Sequence, residues 1–278
     1  MNNIFKKLKI SLVIVGIVVG VGYLANNERS NIEKDNTNES INNSNEVLLA
    51  RSDKESLEYE DIESDYKELE YLEGILNNQY FVLINKDNKL DESYVPSNLK
   101  KSEAKFLDYA QDNNLENATA DAAKKMFDAA AEDGISLIGV SGYRSYSVQK
   151  GLYETRMEKN GEEKTRAYTA EPGASEHQSG LAIDILCDEY QTLDEGFEDT
   201  DAFRWLTKNC YKYGFILRYL KGKEGITGYN YEPWHFRYIG NEEVAKDIMN
   251  RGLVFEEYIN EVKNKINDLK NGNKVKKY

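Results

Sequence analysis

Residues 175–185 read SEHQSGLAIDI, and their last six, Gly180 to Ile185, have the character of a strand: apolar, β-branched and opened by a glycine turn. Alternation along it puts Ala182 and Asp184 on one face and Leu181, Ile183 and Ile185 on the other. A carboxylate in the middle of an apolar strand is costly unless a cation or a donor meets it. His177 lies seven residues before Asp184, and His235 lies in EPWH, three residues after Glu232. The chain has only these 2 histidines. Any imidazole chemistry must therefore use them.

Outward from this stretch, Tyr80 to Asn85 (YFVLIN) reads as a strand bounded by the turn KDNK. Ser102 to Asp133 carries a helical pattern, with Ser102 as N-cap and Gly134 as the stop. Ile135 to Val140 is a buried strand ahead of SGYRSY. Gln149 to Glu158 is helical, and Gly161 to Gly173 is a polar loop punctuated by Gly and Pro. Asp201 to Tyr213 forms a helix, Trp234 to Ile239 a strand, and Asn241 to Gly252 a helix with Glu242 and Glu243 in its first turn. Lys263 to Tyr278 reads as a basic polar tail. Strands and helices mix without regular βαβ alternation, so the class is α+β.

The chain has 278 residues, enough to bury a sizeable core. With 36 Lys+Arg against 49 Asp+Glu, its formal net charge is −13. That balance argues against a protein that neutralises phosphates, so no nucleic-acid partner is expected. Only 2 cysteines are present, which excludes disulfide scaffolds and Cys-rich zinc modules. Cys187 should point away from Asp184; inert buried thiols are expected, and a Cys187–Cys210 disulfide stays open.

At the N-terminus, Lys6, Lys7 and Lys9 precede an apolar run from Ile10 to Ala25. A basic flank before an apolar stretch is an export signal. A cleavage site after Ala25 would need a second small residue where the bulky Tyr23 stands. An uncleaved single-pass anchor is therefore expected, with the lysines inside the cell. Asn26 to about Ser56 is rich in Asn, Ser and acids and reads as a flexible spacer. From Leu57 to Leu72 the apolar residues fall at roughly helical spacing among many acids. That segment is either a helix leading into the domain or more of the spacer. The folded part is expected to begin near Gln79.

A catalytic zinc site takes three protein ligands and keeps one position open, and His177, Asp184 and His235 can supply them. A carboxylate beside the metal can take the proton of water and deliver it to a leaving amine. Glu232 is the candidate, since Pro233 forces a bend that can return it to the cavity of His235; a surface salt bridge is the alternative. Arg144 follows a buried strand. Its guanidinium can neutralise an oxyanion, hold a substrate carboxylate, or simply pair with one of the many acids.

SGYRSYxxQ, SEHQSGLAID, GFILRY and EPWHFRYIG, in this order, resemble the VanY-type D-alanyl-D-alanine carboxypeptidase family, part of a wider zinc-dependent group with the VanX dipeptidases and some phage endolysins. YFVLINKDNKLDESYVPSNL resembles the entry to its catalytic domain, and the match spans roughly Gln79 to Gly252. The resemblance implies a small antiparallel sheet flanked by helices around one zinc per chain. It implies hydrolysis of the terminal D-amino acid from peptidoglycan stem peptides. His177, Asp184 and His235 would be ligands, Glu232 the general base and acid, and Arg144 the group that polarises the scissile carbonyl. Ser175 and Gln149 would bind the substrate C-terminus, with Tyr219 and Trp234 lining the pocket.

The expected organisation is a basic stub and anchor at 1–25, a polar and acidic stalk at 26–78, a monomeric catalytic domain at 79–258 and a polar basic tail at 259–278. The catalytic head would work outside the cell, tethered to the membrane. Pentapeptide (D,D) and tetrapeptide (L,D) substrates both stay open. The competing readings are a peptidoglycan endopeptidase of the same fold, a non-catalytic zinc-stabilised wall-binding module, and a membrane protein whose stalk is the active part.

Overall fold

The computed structural model describes residues 62–272, residues 109 and 111 excepted. The expected anchor and most of the expected stalk lie outside the described residues. Within the described residues, the chain from Ser64 to Gly272 forms one compact unit. Residues 62–76 are helical (α1). Two short strands, β1 (Leu99–Lys101) and β2 (Asn114–Glu116), pair antiparallel. They are followed by α2 (Asn117–Glu132), β3 (Leu137–Ser141), α3 (Tyr146–Asn160), α4 (Glu162–Tyr168), β4 (Ala182–Cys187) and α5 (Asp201–Asn209). The chain continues through β5 (Phe215–Tyr219), one helical turn α6 (Glu224–Thr227), β6 (Glu232–Tyr238), α7 (Glu242–Arg251) and α8 (Phe255–Lys270). The second sheet is antiparallel throughout, in the order β3-β4-β6-β5. This is the α+β class that the sequence implies.

The four-stranded sheet has two unlike faces. Ile183 and Ile185 of β4, Phe215 and Leu217 of β5 and Phe236 of β6 enter one core with Ala120, Ala123, Met126, Phe127 and Ala130 of α2 and Leu206 of α5. The small alanines of α2 let it lie close on the sheet. Gly139 of β3 is required by a close approach, because a Cβ there would lie 2.7 Å from the Phe106 ring. The alternate residues Asp184, His235, Arg237 and Arg218 belong to the other face, and all four are buried.

Four expectations need correction. Tyr80 to Asn85 forms no ladder. It runs with Phe81 and Ile84 buried, and the Arg237 guanidinium donates to the carbonyls of Tyr80 (3.0 Å) and Val82 (2.7 Å). A side chain thus takes the place of a neighbouring strand. Ser102 does not cap a helix. The helix begins at Asn117, where the Glu116 carboxylate accepts from the Thr119 N–H at 3.1 Å, and the Ser102 hydroxyl accepts from the Ala104 N–H instead. The 161–173 loop contains α4, since Gly161, at φ 79°, interrupts the helices for a single residue. The first part of the expected tail, 263–270, belongs to α8, which buries Phe255, Tyr258, Ile259, Val262 and Ile266 in one cluster with Leu72 and Ile75 of α1; residues 273–278 lie outside the described residues. Each fully buried aliphatic side chain there stabilises the fold by about 1.5–3 kcal/mol. The folded unit therefore extends beyond both ends of the expected 79–258 domain. Residues 64–76 favour the helical alternative for the acidic segment.

Cys187 and Cys210 are buried free thiols, and burial pushes Cys210 up to about 12. Among the described residues no helix is long and apolar enough to cross a membrane.

Candidate active site

The β4–β6 register sets Asp184 directly opposite His235. In antiparallel strands such a pair shares a face with its side chains in contact, and Asp184 Oδ1 lies 3.2 Å from His235 Nδ1. His177 arrives from the 3₁₀ turn Glu176–Ser179, which ends on Gly180 at φ 70°. A Cβ at Gly180 would also meet the Glu116 backbone nitrogen at 2.8 Å. This turn places His177 Nε2 3.3 Å from Asp184 Oδ2. On its other side, His177 Nδ1 lies 2.8 Å from the Gly142 carbonyl. A carbonyl only accepts, so Nδ1 carries the hydrogen and Nε2 keeps its lone pair toward Asp184.

The donor atoms of His177, Asp184 and His235 all lie within 4.8 Å of one another, and each side chain is buried. A tetrahedral zinc with bonds of about 2.0–2.1 Å sets neighbouring donors about 3.3 Å apart. The contacts at 3.2 and 3.3 Å, one through each oxygen of Asp184, are of that length. Two imidazoles and a carboxylate are also the donor chemistry zinc prefers, so the residues fit the ion.

Glu232 sits three residues before His235 in the same strand, where regular alternation would turn it to the opposite face. The β5–β6 register shifts between Leu217 and Tyr219, which pair with Phe236 and Glu232, and the extra residues of β6 between them break the pleating and turn Glu232 back. Its Oε2 lies 3.7 Å from His235 Nδ1. Burial pushes the Glu232 carboxyl up to about 7, against the pull of His235. Burial disfavours the charge on His235, yet the hydrogen bonds to Asp184 and Glu176 carry it up to about 9. Burial holds His177 below its usual value. Burial opposes the ionisation of Asp184 as well, but the two histidines hold its carboxyl well below the carboxylate range.

Arg144 leaves the end of β3, its backbone N–H donating to the His177 carbonyl at 3.1 Å. Its guanidinium donates to Gln149 Oε1 at 3.0 Å and Ser141 Oγ at 2.7 Å. Gln149, buried in α3, in turn donates to the Ala170 carbonyl at 2.6 Å. Both ends of its amide are thus engaged within the protein. The Tyr219 and His235 ring centroids are 4.9 Å apart. Ser175 and Trp234 complete the set, and all nine side chains singled out from the sequence line one cavity of about 530 Å³.

The sequence reading missed Glu176, Arg218 and Arg237. Glu176 lines the same cavity, and both arginines are 0 % exposed. Burial opposes the charge on Glu176, and Arg218 and Arg237 overcome it, holding the carboxyl well below its usual range. The signal was present in FILRY and WHFRY, where a charged residue interrupts an apolar strand as Asp184 does. Arg156 of α3 was missed too. It reaches the cavity wall and donates to Thr169 Oγ1 at 2.7 Å.

Residues 112–241 match the family model described as D-alanyl-D-alanine carboxypeptidase, VanY. A solved structure of the LdcB LD-carboxypeptidase is 44% identical, with a TM-score of 0.60 over 64% of this chain and 84% of that one. A zinc complex of a single-residue mutant of the D,D-pentapeptidase VanY, from a VanB-type resistance cassette, is 32% identical. Its TM-score is 0.54, over 65% of this chain and 98% of that chain. A bifunctional D-Ala-D-Ala dipeptidase and carboxypeptidase of Enterococcus gallinarum, VanXYC, is 39% identical over 162 residues, 57% of this chain and 82% of its own length.

Proposed function

Because the chain belongs to the VanY family of D-alanyl-D-alanine carboxypeptidases, and is thus a metallo-carboxypeptidase, we propose that it removes the C-terminal D-alanine from peptidoglycan stem peptides. His177, Asp184 and His235 hold one zinc. The observation that carries this reading is the position of Glu232, 3.7 Å from His235 Nδ1 and outside the donor triad. A structural zinc would be closed by a fourth protein ligand, and among the described residues only three donors group together.

When bound, the zinc supplies Lewis acidity toward water and the scissile carbonyl. Glu232 takes a proton from the attacking water, and its neutral carboxyl returns that proton to the leaving amine. A carboxyl pushed up to about 7 suits both steps near neutral pH. Arg144 faces the cavity and stabilises the negative charge that develops on the carbonyl oxygen. Ser175 and the second amide hydrogen of Gln149, the first being given to the Ala170 carbonyl, receive the free C-terminal carboxylate, which sets carboxypeptidase apart from endopeptidase action. Tyr219 and Trp234 form the wall. The basic flank and apolar run at residues 6–25 support a head tethered outside the cell by a single-pass anchor, with the polar segment after it as spacer.

The test is incubation of the zinc-loaded full-length chain with stem pentapeptide and tetrapeptide, with and without chelator, followed by mass spectrometry. Chelator-sensitive loss of one alanine from the pentapeptide alone makes it a D,D-enzyme. Trimming of the tetrapeptide makes it, wholly or partly, an L,D-enzyme. No chelator-sensitive cleavage of either peptide by metal-loaded protein contradicts the proposal.

A further inference from the structure

Beneath the metal ligands lies a chain of buried charges that the hydrolysis itself does not call for. Glu176 Oε1 accepts from Arg218 Nε at 2.8 Å and from Arg237 Nη1 at 2.7 Å. Its other oxygen, Oε2, lies 3.2 Å from His235 Nε2. Arg218 reaches on with a two-pronged contact to Glu256 of α8, at 2.8 and 2.6 Å. Glu256 also accepts from Asn85 Nδ2 at 3.1 Å. Arg237 directs its remaining donors to the carbonyls of Tyr80, Val82 and Tyr238. Two carboxylates and two guanidiniums balance in charge, and Glu176 and both arginines are sealed from solvent.

Burying such a network adds little stability, because desolvation offsets most of the attraction and apolar side chains of the same volume serve as well. Its position gives it another use. A carboxylate gripped by two guanidiniums is an acceptor only, so the His235 nitrogen facing it must carry the hydrogen. With that hydrogen held on Nε2, Nδ1 is the nitrogen that can give a lone pair to a metal, and it faces Asp184 and Glu232. His177 is fixed in the opposite sense by the Gly142 carbonyl.

We propose that Glu176 is the positioning residue of the metal site: it holds His235 with Nε2 protonated and Nδ1 offered to the metal, while Arg218 and Arg237 hold Glu176. This rests on the ligand assignment made under Proposed function. It adds that Glu176, held by two arginines from neighbouring strands, sets which nitrogen of His235 the metal meets, whereas Glu256 and Asn85 farther out brace Arg218 without touching His235.

The chain has only 2 imidazoles, so nitrogen-15 spectra of the zinc-loaded full-length protein resolve both. The expected spectrum shows His235 with zinc on Nδ1 and a downfield Nε2 proton protected from exchange. The Glu176→Gln variant should expose that proton and weaken zinc binding by about 10–100-fold in a chelator competition, the usual effect of losing an outer-shell partner. Glu256→Gln, which loosens the same network farther out, should lower the melting temperature yet leave the His235 proton and the zinc affinity unchanged. Zinc on His235 Nε2 in the unaltered protein overturns the proposal without needing any variant to fold. So does a Glu176→Gln protein that binds zinc within about threefold of the original. If zinc shifts neither histidine, the ligand assignment itself fails.

Discussion

The two faces of the β3-β4-β6-β5 sheet come from the same four strands and answer to different physics. One face carries Ile183, Ile185, Leu217 and Phe236 against α2 and α5, where any apolar side chain of the right volume would serve. The other carries Asp184, His235, Arg218 and Arg237, where each polar atom meets a named partner. The first face is tolerant in identity and sensitive in volume. The second is the reverse.

Two substitutions pull the faces apart most strongly. Glu232→Gln should lower kcat by about 10²–10⁴-fold, the usual contribution of a general base, with a melting temperature close to that of the parent. Phe236→Ala, on a fully buried residue of the same strand, should lower stability by about 3–5 kcal/mol. Its kcat per folded molecule should stay within a fewfold of the parent. Equilibrium denaturation run beside steady-state kinetics checks both. Loss of zinc or activity in folded Phe236→Ala protein would show that the two faces are not separable.

The charged face should also govern acid stability. Glu176 and Asp184 titrate well below their ordinary values of 4.5 and 3.8 in the folded chain. An unfolded chain therefore binds protons there first, and folded stability falls as pH drops from about 4.5 toward the lower folded values. Melting curves of the chelated protein should show this fall. The Glu176→Gln protein, already weaker near neutrality, should lose less over the same interval. A parallel fall in both proteins would remove Glu176 as a cause.

Smaller effects lie farther from the sheet. Ile266→Ala, in the last turns of α8, should cost about 2 kcal/mol, the low end for a buried aliphatic truncation. An unchanged denaturation midpoint would restore the reading of this stretch as a tail. Arg166→Ala breaks exposed pairs with Glu162 and Glu171 and should change stability by less than about 1 kcal/mol.

Much of this division was legible in the sequence. Asp184 inside GLAIDI announced a polar face because an acid there needs a partner, and the two histidines marked where that partner would be. Applied to Arg218 in FILRY and Arg237 in WHFRY, the same rule would have found the rest of the network. The Ala-rich part of α2 and the strands before SGYR and around WHFR were readable from local pattern alone. Less readable were segments whose backbone partners are distant in sequence. Tyr80 to Asn85 has strand composition, but its carbonyls are met by a guanidinium from residue 237. In α8, Tyr258, Ile259, Val262 and Ile266 fall at helical spacing, but the charges between them masked that face until α1 was seen to cover it.

The most direct test of the catalytic reading is zinc content and D-alanine release measured together on the full-length chain and its Glu232→Gln variant, with stem tetrapeptide and pentapeptide as substrates. The account predicts one zinc per chain in both proteins, with chelator-sensitive release of a single D-alanine only by the unaltered chain. Undiminished release by the variant, or the absence of zinc from the unaltered chain, would contradict it.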